Sequence, residues 1–306
     1  MTKNVFITGG SGQDGQILIN ILKKKKVNLT VISNAKKLET SNDVNFIKEN
    51  LLNKKRLDAL FKKKKPDIVL HLAASNPSYS ENNYRNFFKD NYKATNNLFN
   101  SMFQANQKAK FIFCSSSQIF KKKFGKVDEK SELRITTDYT KFRIKSDLMM
   151  LKYKKKNKIN YTNAILFNHD SKYRNQKFLL PRIIDAIIRK DYIFLNNIIK
   201  SNIYGDFSHA DDICGGLYKI MFSSINLDKI ILSSSISTSI NKVIKYVLKK
   251  NRLRLDINFN KIKKKKTLVG HNKIAKNKLK WSAKKDIYIA ANDIYKFKIL
   301  NFRDDK

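Results

Sequence analysis

Residues 1–15, MTKNVFITGGSGQDG, decide how the rest of the chain is read. Val5, Phe6 and Ile7 form a short β-branched and aromatic run, which suits a buried parallel strand. Thr8 follows, then Gly9, Gly12 and Gly15 at three-residue spacing, and behind them Ile17, Leu18, Ile21 and Leu22 repeat with helical periodicity. A strand, a glycine turn and a helix start in that order make a phosphate site. The glycines permit a tight turn and a close backbone approach, while the helix N-terminus offers unpaired N–H groups and a positive dipole end. Without the flanking strand and helix the same glycines would be an ordinary loop; with them the stretch reads as a dinucleotide site.

The alternation continues along the 306 residues. Asn28–Ser33, Val44–Lys48, Asp67–Leu72, Lys110–Ser115 and Tyr161–Phe167 read as strands, separated by helical patterns ending at Leu60 and spanning Asn83–Gln107 and Thr137–Lys155. This predicts an α/β fold, a Rossmann-type doubly wound parallel sheet. The remainder is less regular: Phe178–Arg189 is helical, Asp206–Met221 contains a helix and Lys229–Leu232 is a short strand. Residues 1–169 are therefore expected to form the dinucleotide-binding domain, and residues 170–306 a smaller substrate-binding lobe interleaved with it. Ligands of such sheets bind at the carboxyl ends of the strands. The glycine loop, Leu72–Ala73–Ala74 and the serines 115–117 all fall on that edge.

The chain carries 64 Lys plus Arg against 25 Asp plus Glu, a formal net charge of +39. Such a balance ordinarily raises nucleic acid or an anionic membrane as a partner. Here Lys far outnumbers Arg, and Asn and Ile are also abundant, as a coding bias would produce. Moreover, Lys23–Lys26, Lys62–Lys65 and Lys154–Lys156 sit where apolar helical patterns end, and cations are mildly favourable there. They read as solvated surface, with nucleic-acid binding kept as the minor alternative. Cys114 and Cys214, in apolar surroundings, read as reduced core residues. The first strand begins almost at Met1 and no apolar run approaches the ~20 residues that span a bilayer, so a cytoplasmic protein without a membrane partner is expected. No metal site is expected. At the end of the second strand an NAD-preferring site would present Asp or Glu to the ribose; Ser33, Asn34, Ala35, Lys36 and Lys37 stand there instead, favouring NADP, with NAD the alternative.

Several stretches taken together carry a family likeness: ITGGSGQDG at Ile7–Gly15, HLAA at His71–Ala74, the serine cluster, Tyr139, ILFNHDSKYRNQKF at Ile165–Phe178, GDFSHADDI at Gly205–Ile213 and LVGHNKIAKNKLKW at Leu268–Trp281. The chain resembles the extended short-chain dehydrogenase/reductases of the NAD-dependent epimerase/dehydratase superfamily, and within them most closely the GDP-mannose 4,6-dehydratases. The resemblance implies an NADP-dependent enzyme on a nucleotide sugar, GDP-mannose or a related one, that oxidises C4, eliminates water and yields a 4-keto-6-deoxy sugar. It also implies a homodimer or tetramer, in which Phe87, Phe88, Leu98, Phe99 and Met102 of the long helix serve as core or interface. By the same resemblance Ser116 and Tyr139 hold and deprotonate the sugar hydroxyl. Gly9, Gly12, Gln13, Asp14 and Gly15 hold the pyrophosphate, and Leu72, Ala73 and Ala74 line the cofactor. Asn168 and His169 belong to the cofactor- and substrate-facing segment, and Arg174 is a phosphate contact.

Three positions depart from that pattern. Arg143 stands four residues after Tyr139, where the family has Lys; it keeps a positive charge but cannot release a proton. Gln118 stands where the dehydratases carry their Glu, and an amide is no general base. Asn50 replaces the Asp that contacts adenine. A 4-reductase, a 4-epimerase or a catalytically weak NADP-binding homologue are the alternatives these departures open.

Overall fold

The apolar run at the N-terminus becomes β1 (Lys3–Thr8), and its alternation divides the molecule. Val5 and Ile7 face one side of the sheet and Phe6 the other, so each side chain seeds a separate core. The computed structural model describes residues 2–34, 44–74, 86–259 and 265–304. From β1 the chain runs through α1 (Gln13–Leu22), β2 (Val27–Ser33), β3 (Asn45–Lys48), α2 (Lys54–Lys64), β4 (Ile68–His71), α3 (Phe87–Ala105) and β5 (Lys110–Ser116). It continues with β6 (Gly125–Val127), α4 (Asp138–Asn157), β7 (Asn160–Leu166), β8 (Asn168–Asp170), α5 (Leu179–Arg189), α6 (Tyr192–Ser201) and β9 (Tyr204–His209). The last third holds α7 (Ala210–Phe222), β10 (Lys229–Leu232), β11 (Ser237–Ser239), α8 (Ile240–Lys250), β12 (Leu268–Gly270), α9 (Lys273–Leu279) and α10 (Ile287–Asp304).

Seven strands form the main sheet in the order β10-β7-β5-β4-β1-β2-β3, and every pairing is parallel. This is the expected doubly wound sheet, with its switch point between β1 and β4. One face is covered by α1 and α7, where Ile17, Leu18, Ile213 and Leu217 pack on Val5, Ile7, Val31 and Ile112. The other is covered by α2, α3 and α4, where Phe61, Leu98, Phe99 and Phe142 pack on Phe6, Val69, Phe111 and Phe113. Phe87, Leu98, Phe99 and Met102 of α3 thus belong to the chain's own core. A third core joins α5, α6, α8 and α10 beside the three-stranded sheet β11-β9-β8. α7 and β10 lie beyond residue 169 yet pack on or within the main sheet.

The structure corrects some expected limits. The long helix expected over 83–107 is described from Phe87, and its first expected residues lie outside the described ones. The strands β6, β8, β11 and β12, three residues each, and the helices α6, α8, α9 and α10 have no counterpart in the sequence reading. Both cysteines are buried and unpaired, and burial pushes their thiols up. The lysine runs fall at helix ends as expected: Lys23 caps α1, and Lys62–Lys64 and Lys154–Lys156 fill the last turns of α2 and α4. In a parallel sheet those ends lie at the edge opposite the carboxyl ends of the strands. Among the described residues no helix is long and apolar enough to cross a membrane.

Candidate functional site

The glycine loop closes tightly on β4. Gly9 has φ +75°, its N–H donates to the Ile32 carbonyl (3.1 Å), and a Cβ there would lie 2.9 Å from the Ala73 nitrogen. A Cβ on Gly15 would meet the Gly10 Cα and the Gly9 carbonyl oxygen at 2.5 Å, so α1 can seat on the turn only without a side chain there. Gly12 is the N-cap of α1 and no side chain caps the helix. The first amides of a ten-residue helix are therefore left without a side-chain acceptor beside an open turn, a fit for the pyrophosphate of a dinucleotide.

Behind the loop runs a directed chain of hydrogen bonds that the sequence reading did not find. Burial and the Arg143 charge bring the His71 pKa down to about 3, so the ring is neutral. Thr95 Oγ1 donates to the Asn91 carbonyl (2.8 Å) and so must accept from His71 Nε2 (2.9 Å). His71 Nδ1 then accepts from Thr8 Oγ1 (2.8 Å), which in turn accepts from the Ala73 N–H (3.1 Å). One tautomer thus fixes the end of β4 against the glycine loop. The signal in the sequence was a histidine inside the strand DIVLHL, since a buried polar group requires partners.

Gln13 and Asp14 reach across to the segment that follows β7. Gln13 Nε2 donates to the His169 carbonyl (3.3 Å) and to Asp14 Oδ1 (3.1 Å), and Gln13 Oε1 accepts from Ser171 Oγ (3.1 Å). His169 Nε2 lies 3.0 and 3.1 Å from the two Asp14 oxygens, and its Nδ1 lies 2.6 Å from the Phe167 carbonyl. Burial opposes the charge on Asp14, yet His169, Arg174 and Gln13 bring its pKa down to about 2. Burial likewise disfavours a charged His169, and the Asp14 carboxylate outweighs it and raises the pKa. Both ring nitrogens face acceptors only, so His169 is an imidazolium.

At the carboxyl end of β5, Ser116 Oγ accepts from the Gln118 N–H (3.3 Å) at the start of a short 3-10 turn, Ser117–Ile119, and Gln118 itself is exposed. Helix α4 packs against that turn. Thr137 and Thr140 form a capping box that starts α4 just before Tyr139, which sets the half-buried phenol in the first turn. Arg143 lies one turn on. Its guanidinium carbon is 5.1 Å from the Tyr139 ring centre and 5.5 Å from that of Phe113, and Nη1 donates to the Cys114 carbonyl. Arg143 Nε is buried without a hydrogen-bond partner among the described residues. Lys141 instead lies over the Phe88 ring (4.5 Å), and Lys145 is exposed.

The remaining candidates are scattered around this edge. Asn168, exposed, opens β8; Arg174 pairs with Asp170 (3.0 Å) and stacks on Phe178 (3.6 Å). Asn50 Oδ1 accepts from the Leu52 N–H (3.0 Å) in an exposed turn. Leu72, Ala73 and Ala74 are half-buried beside Gly9. Of the residues read for the NADP preference, Ala35, Lys36 and Lys37 lie outside the described residues.

The profile of the NAD dependent epimerase/dehydratase family matches residues 5–228. The chain is 27% identical to the UDP-glucose 4-epimerase of Mycoplasma genitalium, over 83% of this chain and 84% of that protein. It is 24% identical to the GDP-6-deoxy-D-talose 4-dehydrogenase of Aggregatibacter actinomycetemcomitans, over 84% and 83%. The crystal structure of the Thermotoga maritima UDP-glucose 4-epimerase with UDP-glucose superposes with a TM-score of 0.83 at 16% identity, covering 98% of this chain and 99% of that one.

Proposed function

This chain belongs to the NAD dependent epimerase/dehydratase family, and from that premise we propose that it moves a hydride between a nicotinamide dinucleotide and C4 of a nucleotide-linked hexose, as a 4-epimerase or 4-reductase. The dinucleotide, when bound, supplies the hydride acceptor and donor. The loop Gly9–Gly15 and the uncapped start of α1 hold its pyrophosphate, and Leu72, Ala73 and Ala74 give it an apolar wall. Tyr139 takes the proton of the sugar hydroxyl and Ser116 Oγ holds the same oxygen. Arg143 sets its guanidinium charge against the Tyr139 ring. NADP is the preferred form in this reading, because Ser33 and Asn34 end β2 without an acid. Residues 1–169 hold the dinucleotide and residues 170–306 the nucleotide sugar, apart from α7 and β10. A cytoplasmic homodimer or tetramer belongs to the same reading.

The observation that carries it is Gln118. Its exposed amide stands two residues past Ser116, where dehydration would require a base to remove a proton from carbon. Glu129, after β6, is held against β10, where its Oε1 accepts from the Ile231 N–H (3.0 Å). The two relatives that match most of the chain are named for C4 chemistry without dehydration, while a third, 30% identical over 39% of this chain, is the dTDP-D-glucose 4,6-dehydratase of Dictyostelium discoideum. The GDP-mannose 4,6-dehydratase reading stands second, favoured by the Gln13–Asp14 pair and its contacts with the run Asn168–Ser171. Proton NMR of UDP-glucose and of GDP-mannose, each with the protein and catalytic NAD or NADP, tests both, alongside NADPH oxidation with a 4-keto nucleotide sugar. Inversion at C4 or reduction of the ketone is the expected outcome. A 4-keto-6-deoxy product would establish the second reading. No conversion, with the dinucleotide bound, would retire both and leave a non-catalytic role.

A further inference from the structure

Two side chains at the first two positions of α1, the helix whose N-terminus faces the phosphate site, are spent on a segment of the chain far from it in sequence. Gln13 bonds the His169 carbonyl and the Ser171 hydroxyl, and Asp14 pairs with the His169 ring. His169 lies on β8, which pairs with β9 and through it with β11, so whatever fixes His169 fixes the near edge of the small sheet. The backbone bonds of β8 go to β9, not to the main sheet.

We propose that Gln13, Asp14 and His169 are positioning residues that latch the substrate-facing segment 168–171 to the dinucleotide loop, so that ordering the loop with a dinucleotide also orders the segment that meets the nucleotide sugar. The inference rests on the proposed function for the identity of the two ligands. The physical reasoning is local. The latch is made by side chains of residues 13 and 14, whose own amides belong to the uncapped start of α1. A ligand gripped there holds those two residues still, and the same two residues hold the ring and carbonyl of His169. The bonds are costly to leave unmade, because Gln13, His169 and Ser171 are buried. The ion pair also keeps the loop electrically balanced. Without the imidazolium, Asp14 would keep only the Arg174 charge and the Gln13 hydrogen bond to offset its negative charge at the end of the helix meant for a pyrophosphate. The titratable and charged groups around the ring are Asp14 from α1, Asp170 on its own strand and Arg174 from the following turn, with His209 of β9 beyond them facing Asp170. Asp170 and Arg174 neutralise one another at 3.0 Å, which leaves Asp14 as the partner of His169.

Hydrogen exchange read by mass spectrometry tests this on the full chain, as wild type and as Asp14→Asn, Gln13→Leu and Ser171→Ala, with and without NADPH. In the wild type NADPH should slow exchange over 9–15 and also over 168–171. At NADPH concentrations that saturate each variant, judged from the slowing over 9–15 itself, the slowing over 168–171 should be lost in Asp14→Asn and Gln13→Leu, and weakened in Ser171→Ala, the mildest change. Without NADPH the two stronger variants should exchange on the order of tenfold faster over 168–171 and unchanged over β2. The protection of 168–171 in the wild type should also fall as pH rises through the raised His169 pKa, and this pH dependence should vanish in Asp14→Asn. Slowing over 168–171 that survives in both stronger variants, or is absent from the wild type while 9–15 is protected, overturns the latch. If NADPH protects neither region, the proposed function falls. The latch is then decided by the ligand-free exchange alone: unchanged rates over 168–171 in the stronger variants overturn it, and faster ones support it.

Discussion

Gly9 is the residue at which geometry leaves least choice. Its positive φ and the 2.9 Å approach to Ala73 predict that Gly9→Val loses about 1–3 kcal/mol of stability and most dinucleotide affinity, measured by urea unfolding and by fluorescence titration with NADPH. His71 offers a different kind of constraint. Because its ring links two threonine hydroxyls through one tautomer, His71→Ala leaves Thr8 without its acceptor and Thr95 without its donor, and unfolding should show a loss of about 2–4 kcal/mol; in the wild type the buried neutral ring has no effect on stability above its unfolded pKa of about 6.5 and lowers it increasingly as pH falls from there toward about 3. The Asp14–His169 pair titrates at both ends. Asp14, lowered to about 2, contributes roughly 2 kcal/mol that is present above its unfolded pKa and lost as pH falls toward about 2. His169, raised, contributes stability that is full below its unfolded pKa and lost as pH rises through its folded one. Thermal unfolding against pH should show both losses in the wild type, and neither in Asp14→Asn. The glycines were legible because their requirement is steric and local. The partners of Gln13 and Asp14 were not, because His169 is 155 positions from Asp14 and no local pattern points across that distance.

Length alone did not decide which elements were legible: β10, four residues long, is read at its observed limits, while β9 and the 18-residue α10 have no counterpart. The parallel strands β1 and β5, buried on both faces, hold the unbroken apolar runs Val5–Ile7 and Phe111–Cys114, and β2 and β7 read as strands although Thr30 and Thr162–Asn163 interrupt theirs. Three-residue strands such as β6 and β12 hold too few side chains for a period of two to register, and they exist because Gly125–Val127 and Leu268–Gly270 happen to pair. Within the site, α4 carries the most consequence. Thr137 caps it immediately before Tyr139, so Thr137→Ala should cost about 1 kcal/mol in unfolding and should lower turnover more than dinucleotide affinity, by loosening the turn that sets the phenol. The end of α7 depends on a strand lysine: Lys110 Nζ donates to the carbonyls of Ile220, Ser223 and Ile225. Lys110→Met leaves the three carbonyls without that donor and should cost about 1–3 kcal/mol, read by urea unfolding. Composition alone would have left that lysine on the surface.

The molecule as a whole is a parallel sheet with the proposed site at one edge and its lysine runs at the other. Both facts follow from topology: strands point their carboxyl ends one way, and the returning helices end the opposite way. The sequence revealed the sheet, but it could not reveal the third core of α5, α6, α8 and α10, which packs α5 and α8 against α10 and α6 against α8 across long stretches of chain. The separation between the two edges has an electrical meaning. A helix of 20 residues such as α4 spans about 30 Å. The screening length of the solvent is about 8 Å at physiological salt and about 30 Å at 0.01 M. In a cell-like buffer the lysines at the far end of α4 are hidden from an anionic ligand at the near end, and in dilute buffer they come into its view. The same site is therefore two sites to a charged ligand, depending on the ions around it. Neutralising Lys154–Lys156 should leave KM for a nucleotide sugar unchanged at physiological salt and raise it in 0.01 M buffer.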